Sequence, residues 1–418
     1  MLNTTSITLP RKLTTTQKAA RGVIFQCLQN MEMGCLTIIE SFHTETKERS
    51  ERFTAPNGEY SGQPVVATIE VKHTGFYSRI LQGGSIAAGE AYMDGWWDSP
   101  DLTALMKLMA LNMRALDKLE EQGSWLTKLL YKFSHWTNRN SQENSRKNIH
   151  AHYDLGNDLY EAFLDTYMLY SSALYHTSAD SLEQAQINKM ERLCQQLDLQ
   201  STDHVIEIGT GWGAMAIYMA EQYGCRVTTT TISEEQHEYT RQQIVQRGLA
   251  DRITLLKEDY RNLTGTYDKL VSIEMIEAVG KQFLASYIKK CESLLKPRGL
   301  MAIQAITIAD QRYDYYSNNV DFIQKYIFPG GFLPSVTSLT QATTKHSDLV
   351  VRDLFDIGLD YAKTLNEWHR RFNRAEDAVR GFGYDDRFVR MWRYYLSYCE
   401  GGFLARTISA VHMTFQRP

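Results

Sequence analysis

Apolar residues in the second half of the chain follow two alternating periods. Runs of branched or alternating apolar residues predict β-strands at His204–Gly209, Arg226–Thr231, Ile253–Asp259, Lys269–Met275 and Leu300–Ile308. Helical spacing between them predicts helices at Ala214–Tyr223, Glu234–Arg247 and Phe283–Leu295. Strands and helices that alternate through short loops are typical of a parallel sheet with crossover helices. The predicted fold class is therefore α/β with a doubly wound sheet.

The first hundred residues show a different pattern. Residues 1–22 are rich in threonine and basic residues, which predicts a flexible leader. Over residues 23–100 apolar and polar positions alternate between Gly, Asn and Pro turns, as in strands. The segments that carry this alternation are IFQCLQN, CLTIIESF, VVATIEVKH and FYSRILQGG. We predict a small N-terminal accessory α+β domain without a catalytic site.

Helical spacing of leucine and methionine returns after residue 100 and predicts a helical linker over 101–148. Its second part, WLTKLLYKFSHW, has an apolar, aromatic face and two lysines. Such a face suits a membrane interface, and it equally suits docking on the protein itself. The polar stretch NRNSQENSRKN then indicates a domain boundary. Residues 149–418 are predicted to form the catalytic domain, with a helical, aromatic-rich tail from Ala309 onwards.

The turn after the first predicted strand of the sheet carries Gly209, Gly211 and Gly213. Glycines are needed where the backbone takes positive φ or approaches a ligand closely. A strand that ends in such a turn and opens a helix is typical of nucleotide binding. The spacing fits both a dinucleotide and S-adenosylmethionine, while Trp212 and Glu207 favour the second. A purely structural tight turn is the remaining alternative.

Two carboxylates follow predicted strands farther along the chain. Asp259 ends the third strand and Glu277 follows the fourth. The carboxyl ends of parallel strands meet at one edge of the sheet, where α/β proteins bind ligands. The sequence therefore predicts a ligand site at this edge.

Composition narrows the classes of function. The net charge of −4 gives no reason to expect a nucleic acid partner. The six cysteines lack C-x-x-C spacing, so neither zinc nor a disulfide framework is indicated. No window reaches the roughly 20 apolar residues that cross a bilayer, and the N-terminus lacks the continuous apolar core of a secretory signal. We predict a cytoplasmic protein.

A series of short motifs follows one order from about residue 70 to the C-terminus: GEAYMDGWWD, HYDLGNDLYEAFLD, MLYSSALY, EIGTGWG, TISEEQ, EDYRNL, SIEMIEAVG, KYIFPGGFLPS and LDYAKTLNEW. Through these motifs the chain resembles the cyclopropane-fatty-acyl-phospholipid synthases, S-adenosylmethionine-dependent enzymes that act on double bonds of membrane lipid chains. The motifs are far more specific than the glycine turn alone, and they displace the dinucleotide alternative. The resemblance implies a class I methyltransferase-like sheet with S-adenosylmethionine as the cofactor.

Matching the family's motifs residue by residue implies a set of cofactor contacts. The implied contacts are Tyr170 and Ser171 at the sulfonium end, Gly209 and Gly211 under the methionine moiety, Thr231 and Gln236 at the ribose and methionine, and Asp259 and Tyr260 at the adenine. Local structural roles remain as alternatives for some of them. Ser171 and Thr231 could cap turns or helices, and Tyr260 could belong to the core.

The chemistry that the resemblance implies makes definite demands on the site. An isolated alkene is a weak nucleophile, so catalysis consists mainly of alignment in a dry, apolar slot. The attack leaves a carbocation, which aromatic faces stabilise. The aromatic-rich tail after the last predicted strand is suited to lining such a slot. Closing a cyclopropane ring then requires that a proton leave the newly added methyl group.

The resemblance also implies a base for that proton, a bound bicarbonate held by a Cys backbone and by Glu, His and Tyr side chains, with an Ile main chain nearby. Glu277, Tyr361 and Ile306 match this pattern. Ser172 stands where the family has Cys, and Gln304 stands where it has His. Glutamine can hold an anion but cannot titrate, and serine still offers its backbone N–H. The bicarbonate site therefore either survives or is weakened.

We accordingly predict transfer of a methyl(ene) carbon to the double bond of unsaturated phospholipid acyl chains, with cyclopropane formation first. The alternative is olefin C-methylation, which gives methyl-branched or methylene products. A small-molecule methyltransferase and a lipid-binding protein with an inactive transferase domain are rival interpretations. The partners implied are unsaturated phospholipids at the inner face of the membrane, where the protein would be peripheral, and a homodimer is left open.

Overall fold

The computed structural model describes residues 12–42, 49–121 and 155–418. These residues form two compact units, each described here by itself. The first unit takes the chain up to residue 132 together with Tyr384–Ala405, and the second takes the remainder. The catalytic domain predicted over 149–418 therefore gives up one segment to the first unit.

The helices of these ranges are, in chain order, α1 (Thr15–Leu28), α2 (Phe76–Met93), α3 (Leu102–Leu111), α4 (Met113–Glu121), α5 (Asn157–Glu161), α6 (Leu182–Gln196), α7 (Ala214–Tyr218), α8 (Glu234–Gln246), α9 (Leu284–Leu294), α10 (Asp310–Asn318), α11 (Phe322–Tyr326), α12 (Val336–His346), α13 (Gly358–Arg374), α14 (Glu376–Gly381) and α15 (Asp386–Leu404). The strands are β1 (Cys35–Glu40), β2 (Arg49–Thr54), β3 (Glu59–Tyr60), β4 (Gln63–Pro64), β5 (Val66–Val71), β6 (Trp97–Asp98), β7 (His204–Ile208), β8 (Arg226–Thr230), β9 (Ile253–Leu256), β10 (Tyr267–Ile273), β11 (Leu295–Ile308), β12 (Val350–Asp356) and β13 (Ile408–Gln416).

The first unit contains a sheet of order β2-β1-β5-β6, in which β1 and β5 are parallel. The strands expected from CLTIIESF and VVATIEVKH are confirmed as β1 and β5. The strands expected from IFQCLQN and FYSRILQGG are wrong, because these segments lie in α1 and α2. Short apolar runs do not by themselves distinguish a strand from a buried helix face.

Helix α1 also shortens the predicted leader. Thr14 caps the helix by accepting a hydrogen bond from the backbone N–H of Gln17, and the Gln17 side chain accepts one from the Thr14 N–H. This reciprocal pair is a capping box. The prediction of a flexible leader over 1–22 is therefore wrong from residue 15 onwards, and residues 1–11 lie outside the described ranges.

Helix α15 is the C-terminal segment that joins the first unit. Its Tyr394 ring contacts the rings of Tyr92 and Trp97, with centroids 5.6 Å and 6.3 Å away. Arg390 donates to the Trp97 carbonyl at 2.9 Å. The apolar, aromatic face of the helix is covered by residues distant in sequence, which chain continuity alone does not reveal.

The second unit is built on a seven-stranded sheet of order β12-β13-β11-β10-β7-β8-β9. Strands β7 to β11 are parallel and correspond to the five predicted strands. Alternation along the strands sends one set of side chains to each face. Val205, Val227 and Val271 join the core on one face, and Ile206, Leu270 and Met301 join the core on the other. The predicted doubly wound α/β fold is confirmed.

The tail after Ala309 is not entirely helical, as the sequence had suggested. Strand β13 inserts between β11 and β12 and is antiparallel to both. It is buried on both faces along most of its length. A strand of this kind lacks the polar alternation that identifies half-buried strands, and its aromatic-rich surroundings favoured a helical interpretation.

Within the described ranges, no helix is both long and apolar enough to cross a membrane. The linker helix that we expected at 125–133 and the boundary near residue 148 lie outside those ranges.

Candidate active site

The glycine turn follows β7 where the sheet changes direction. Strand β7 pairs with β10 on one side and β8 on the other, so a crevice opens at its carboxyl end. Gly209, Gly211 and Gly213 all have positive φ, at 101°, 54° and 93°. A Cβ on Gly211 would meet no heavy atom within 4 Å. The turn therefore leaves open space above its backbone, as a ligand cradle requires.

Thr231 and Gln236 lie together beyond the end of β8. Both side chains are buried, and the Thr231 hydroxyl donates to Gln236 Oε1 at 2.8 Å. Ser233 caps α8 and accepts from the Gln236 backbone N–H, which fixes where Gln236 begins its side chain. The alternative that Thr231 caps a turn also applies, because its hydroxyl accepts from the Ser233 N–H at 3.1 Å.

Asp259 and Tyr260 follow β9 at the same edge of the sheet. Asp259 is buried, and its carboxylate receives hydrogen bonds from both the backbone and the guanidinium of Arg261. The Tyr260 ring contacts the Tyr287 ring edge-on, with centroids 5.5 Å apart. Burial raises the pKa of Tyr260 to about 12, so its hydroxyl stays protonated.

Tyr170 lies in a cluster of aromatic rings. Its ring centroid is 5.3 Å from those of Tyr160 and Trp368 and 6.3 Å from that of Phe328. Tyr160 also contacts Trp212 of the glycine turn at 5.0 Å. These rings connect the turn to helix α13 through apolar, π-rich surface, which is the kind of lining that stabilises a nearby cation.

Ser171, the next residue, is paired with a buried lysine. Lys189 on α6 is fully buried and donates to the Ser171 hydroxyl at 2.7 Å. Burial lowers the pKa of Lys189 to about 8, against the opposing charges of Glu274 and Asp165. A buried ammonium costs free energy unless carboxylates compensate it, so Lys189 provides positive charge to this part of the site.

Glu274, directly after β10, is the centre of a hydrogen-bond network. Its Oε1 accepts from the backbone N–H of Ser172 at 2.8 Å and from Gln304 Nε2 at 2.7 Å. Its Oε2 accepts from the Tyr361 hydroxyl at 2.7 Å. The structure thus brings Ser172, Gln304 and Tyr361 together, as the resemblance implied, but around a carboxylate of the chain itself.

Gln304 is held in one orientation by its other partners. Its Nε2 also donates to the Ser172 carbonyl at 3.1 Å, and its Oε1 faces His412 Nε2 at 2.9 Å. Because an amide oxygen only accepts, His412 must carry its proton on Nε2. Burial lowers the pKa of His412 to about 3, so the imidazole is neutral.

Glu277 lies one short helical turn farther along, at Ile276–Ala278. Its Oε1 accepts from the backbone N–H of Ile306, and its carbonyl accepts from the Phe332 N–H at 2.9 Å. Among the described residues its buried Oε2 has no hydrogen-bond partner. The alternative of a solvated loop carboxylate therefore does not describe Glu277, which faces the aromatic segment around Phe332.

The two carboxylates cannot both ionise easily. Burial raises the pKa of Glu277 to about 8, and the negative charge of Glu274 raises it further. Burial also raises the pKa of Glu274, while three donors and Lys189 oppose that rise. Since hydrogen bonds to a carboxylate favour its charged form, Glu274 is the ionised member of the pair and Glu277 the protonated one.

Bicarbonate does not fit this arrangement. The Ser172 N–H and the Tyr361 hydroxyl each have a single hydrogen, and both hydrogens are donated to Glu274. The two amide hydrogens of Gln304 go to Glu274 and to the Ser172 carbonyl. The expected bicarbonate donors are therefore already satisfied, and bicarbonate is not the ligand of these groups.

The sequence interpretation missed three residues of this site. Glu274 lies three residues before Glu277 in the SIEMIEAVG motif, and the paired carboxylates were a signal that could have been used. Lys189 stands on the buried face of α6, where a lysine is rarely found without a partner. His412 had no signal, because its strand was interpreted as helix.

Comparisons with known proteins agree with this fold and site. The family model of mycolic acid cyclopropane synthetases matches residues 140–413. The tuberculostearic acid methyltransferase UfaA1 of Mycobacterium tuberculosis is 38% identical over 347 residues, 81% of this chain and 80% of that protein. The cyclopropane-fatty-acyl-phospholipid synthase of Escherichia coli is 39% identical over 359 residues, 84% of this chain and 88% of that protein.

Solved structures show the same fold. The cyclopropane synthase MmaA2 of Mycobacterium tuberculosis superposes with a TM-score of 0.61 at 24% identity, covering 65% of this chain and 98% of that one. The mycolic acid cyclopropane synthase CmaA1, complexed with SAH and CTAB, gives the same values. The predicted methyltransferase fold and enzyme class are confirmed, and the chain belongs to the cyclopropane synthase family of methyltransferases.

Proposed function

We propose that this enzyme transfers the methyl carbon of S-adenosylmethionine to the double bond of an unsaturated phospholipid acyl chain and forms a cyclopropane ring. The observation that carries the proposal is the carboxylate pair Glu274 and Glu277 beside an aromatic cluster at the glycine turn. Negative charge and π faces together suit a substrate that becomes a carbocation. The relatives named above as lipid methyltransferase and synthase support the substrate class.

The residues of the glycine turn fit S-adenosylmethionine as the cofactor. The open space above Gly211 admits the methionine moiety, and the buried amide and hydroxyl of Gln236 and Thr231 are groups that could exchange their mutual hydrogen bond for ribose contacts. When bound, the cofactor supplies a methyl group activated by positive sulfur. Asp259 would reach the adenine only by releasing part of its ion pair with Arg261.

The site places its polar groups where a proton must leave, not where a nucleophile must be activated. An alkene needs alignment and exclusion of water, which the rings around Tyr170 and the segment at Phe332 provide. Tyr361 and Gln304 hold Glu274 in place, and Ile306 holds Glu277 through its backbone. Lys189 balances the negative charge from the far side of Ser171.

Olefin C-methylation is the second candidate. The observation that favours it is Glu274, a carboxylate fixed to the backbone where the family pattern leads us to expect a small ion. A base held in a different position can remove a different proton from the same carbocation, which yields a methylene or methyl-branched chain instead of a ring. Both products share the transfer step and differ only in the bond formed last.

Expression in a host without an enzyme of its own tests the proposal. We expect the phospholipid acyl chains to gain one methylene unit in mass, and a purified preparation to act on unsaturated phospholipid vesicles. Catalytic hydrogenation separates the two candidates, because it leaves methyl-branched chains from a methylene product under conditions that spare a ring. Unmodified acyl chains in cells that contain folded protein and its cofactor would overturn the proposed function.

A further inference from the structure

Glu274 takes the position in which the family resemblance places an external anion. Its carboxylate accepts from the Ser172 N–H, from Gln304 Nε2 and from the Tyr361 hydroxyl, at 2.7–2.8 Å. These are the counterparts of the Cys backbone, the His and the Tyr from which a bicarbonate would be held. A side chain that satisfies all three donors replaces the ion both in space and in charge.

The backbone of Glu274 indicates that this position is specifically maintained. Its φ is +47°, in the left-handed region that side chains other than glycine rarely adopt. Strained backbone of this kind persists where surrounding structure holds it, and it concentrates at functional sites. The Glu274 N–H donates to the Gln304 carbonyl at 2.8 Å, so β11 holds the backbone while its Gln304 amide holds the side chain.

The charges around the pair make Glu274 the proton acceptor rather than Glu277. Three donors and the nearby Lys189 stabilise a negative Glu274. Glu277 holds a single backbone hydrogen bond on Oε1, and its unpartnered Oε2 is where its proton would lie. Both residues keep part of their surface accessible, as groups that meet a substrate must.

We propose that Glu274 is the catalytic base of this enzyme and that the reaction needs no bicarbonate. The proposal rests on the proposed function. In the step concerned, a C–H bond next to the carbocation breaks and its electron pair forms the last C–C bond of the ring, or the C=C bond of a methylene product. The proton goes to a Glu274 oxygen and leaves to water after the product has departed.

Bicarbonate dependence of the unmodified enzyme is the first test. Acyl-chain modification by the full-length protein is measured in buffer depleted of carbon dioxide and again with added bicarbonate. We expect equal rates. A wild-type rate that falls severalfold on depletion and returns with bicarbonate would overturn the proposal while leaving the proposed function intact.

The second test uses E274Q and E274G. E274Q keeps the shape without the charge, and we expect product formation to fall by about 100-fold or more, the scale of general base catalysis. E274G suits the left-handed backbone and frees the three donors, so bicarbonate or formate should restore activity to it and not to E274Q. Product formation by E274Q at the wild-type rate would overturn the proposal.

A matched control separates backbone effects from chemistry. Arg298 also has a left-handed backbone, with φ +67°, and is exposed at the start of β11. R298G should therefore keep the wild-type rate with and without added anions. The affinity for S-adenosylmethionine, measured by calorimetry, should be unchanged in all three variants, which shows that their sites are folded. If even the wild type modifies no acyl chain, the proposed function fails rather than the role of Glu274.

Discussion

His412 illustrates how one side chain acts through its neighbours. Its Nε2 is 2.9 Å from Gln304 Oε1, and Gln304 in turn donates to Glu274. Because the imidazole is buried and neutral, its effect is to orient an amide and not to add charge. His412 is therefore a positioning residue, at a distance from the reacting atoms.

Replacing His412 by phenylalanine should lower kcat by about fivefold to tenfold, the cost of one hydrogen bond of about 1 kcal/mol. The KM for lipid and the affinity for S-adenosylmethionine should not change, because the Gln304 backbone stays in β11. His412→Gln can donate from nearly the same place and should recover most of kcat. Equal losses in both variants would argue against the orienting role.

Gly211 allows a direct test of the cradle above the glycine turn. Its φ is +54° and a Cβ would enter open space, so Gly211→Ala obstructs a ligand without a clash inside the protein. We expect S-adenosylmethionine affinity, measured by calorimetry, to fall by at least about tenfold.

Gly248, at the end of α8, is the matched control, because it has φ +68° and a Cβ there also meets nothing within 4 Å. Both alanine variants should lose about 1 kcal/mol of stability through left-handed strain. Only the one at the glycine turn should lose cofactor affinity. Equal affinity in the two variants would show that the cofactor does not lie above Gly211.

At the scale of elements, the capping box of α1 predicts a local effect. Thr14→Ala removes the side chain that accepts from the Gln17 N–H and should weaken the helix by about 1 kcal/mol. Hydrogen exchange of amides in residues 15–28 should then be about fivefold faster. Thr16→Ala, on an exposed helical position beside it, should leave exchange unchanged or slower. Faster exchange in both would point to a general loss of threonine contacts.

The strands of the second unit could be predicted because each carries apolar alternation and is bounded by turn residues. Helices α1 and α2 and strand β13 could not, since a short apolar segment takes its structure from the partners that cover it. Much of the site followed the same division. Residue matching assembled Ser172, Gln304 and Tyr361, but sequence alone could not show which of two carboxylates three residues apart would accept from them.

At the scale of the whole molecule, buried carboxyl groups should make stability depend on pH. Burial raises the pKa of Glu207 from its ordinary 4.5 to about 8, with one hydrogen bond from Thr229 opposing the rise. The folded state then binds more protons than the unfolded state between these values, so its contribution to stability is full below pH 4.5 and is lost as the pH rises through 8.

Glu207→Gln removes this titration and should flatten the decline of stability between about pH 5 and pH 8, by on the order of 1 kcal/mol per pH unit. Urea unfolding at several pH values, compared between wild type and variant, measures the difference. Parallel pH profiles for the two proteins would show that Glu207 ionises normally in the folded state.

The central claim is that carbon from the cofactor is joined to a lipid double bond and that a proton then leaves the new methyl group. Reaction of an unsaturated phospholipid with S-adenosylmethionine carrying a fully deuterated methyl group, followed by mass spectrometry of the acyl chains, tests this most directly. The account predicts chains that retain two of the three deuterium atoms, whether the product is a ring or a methylene group. Chains that retain all three, or that carry no deuterium, would contradict it.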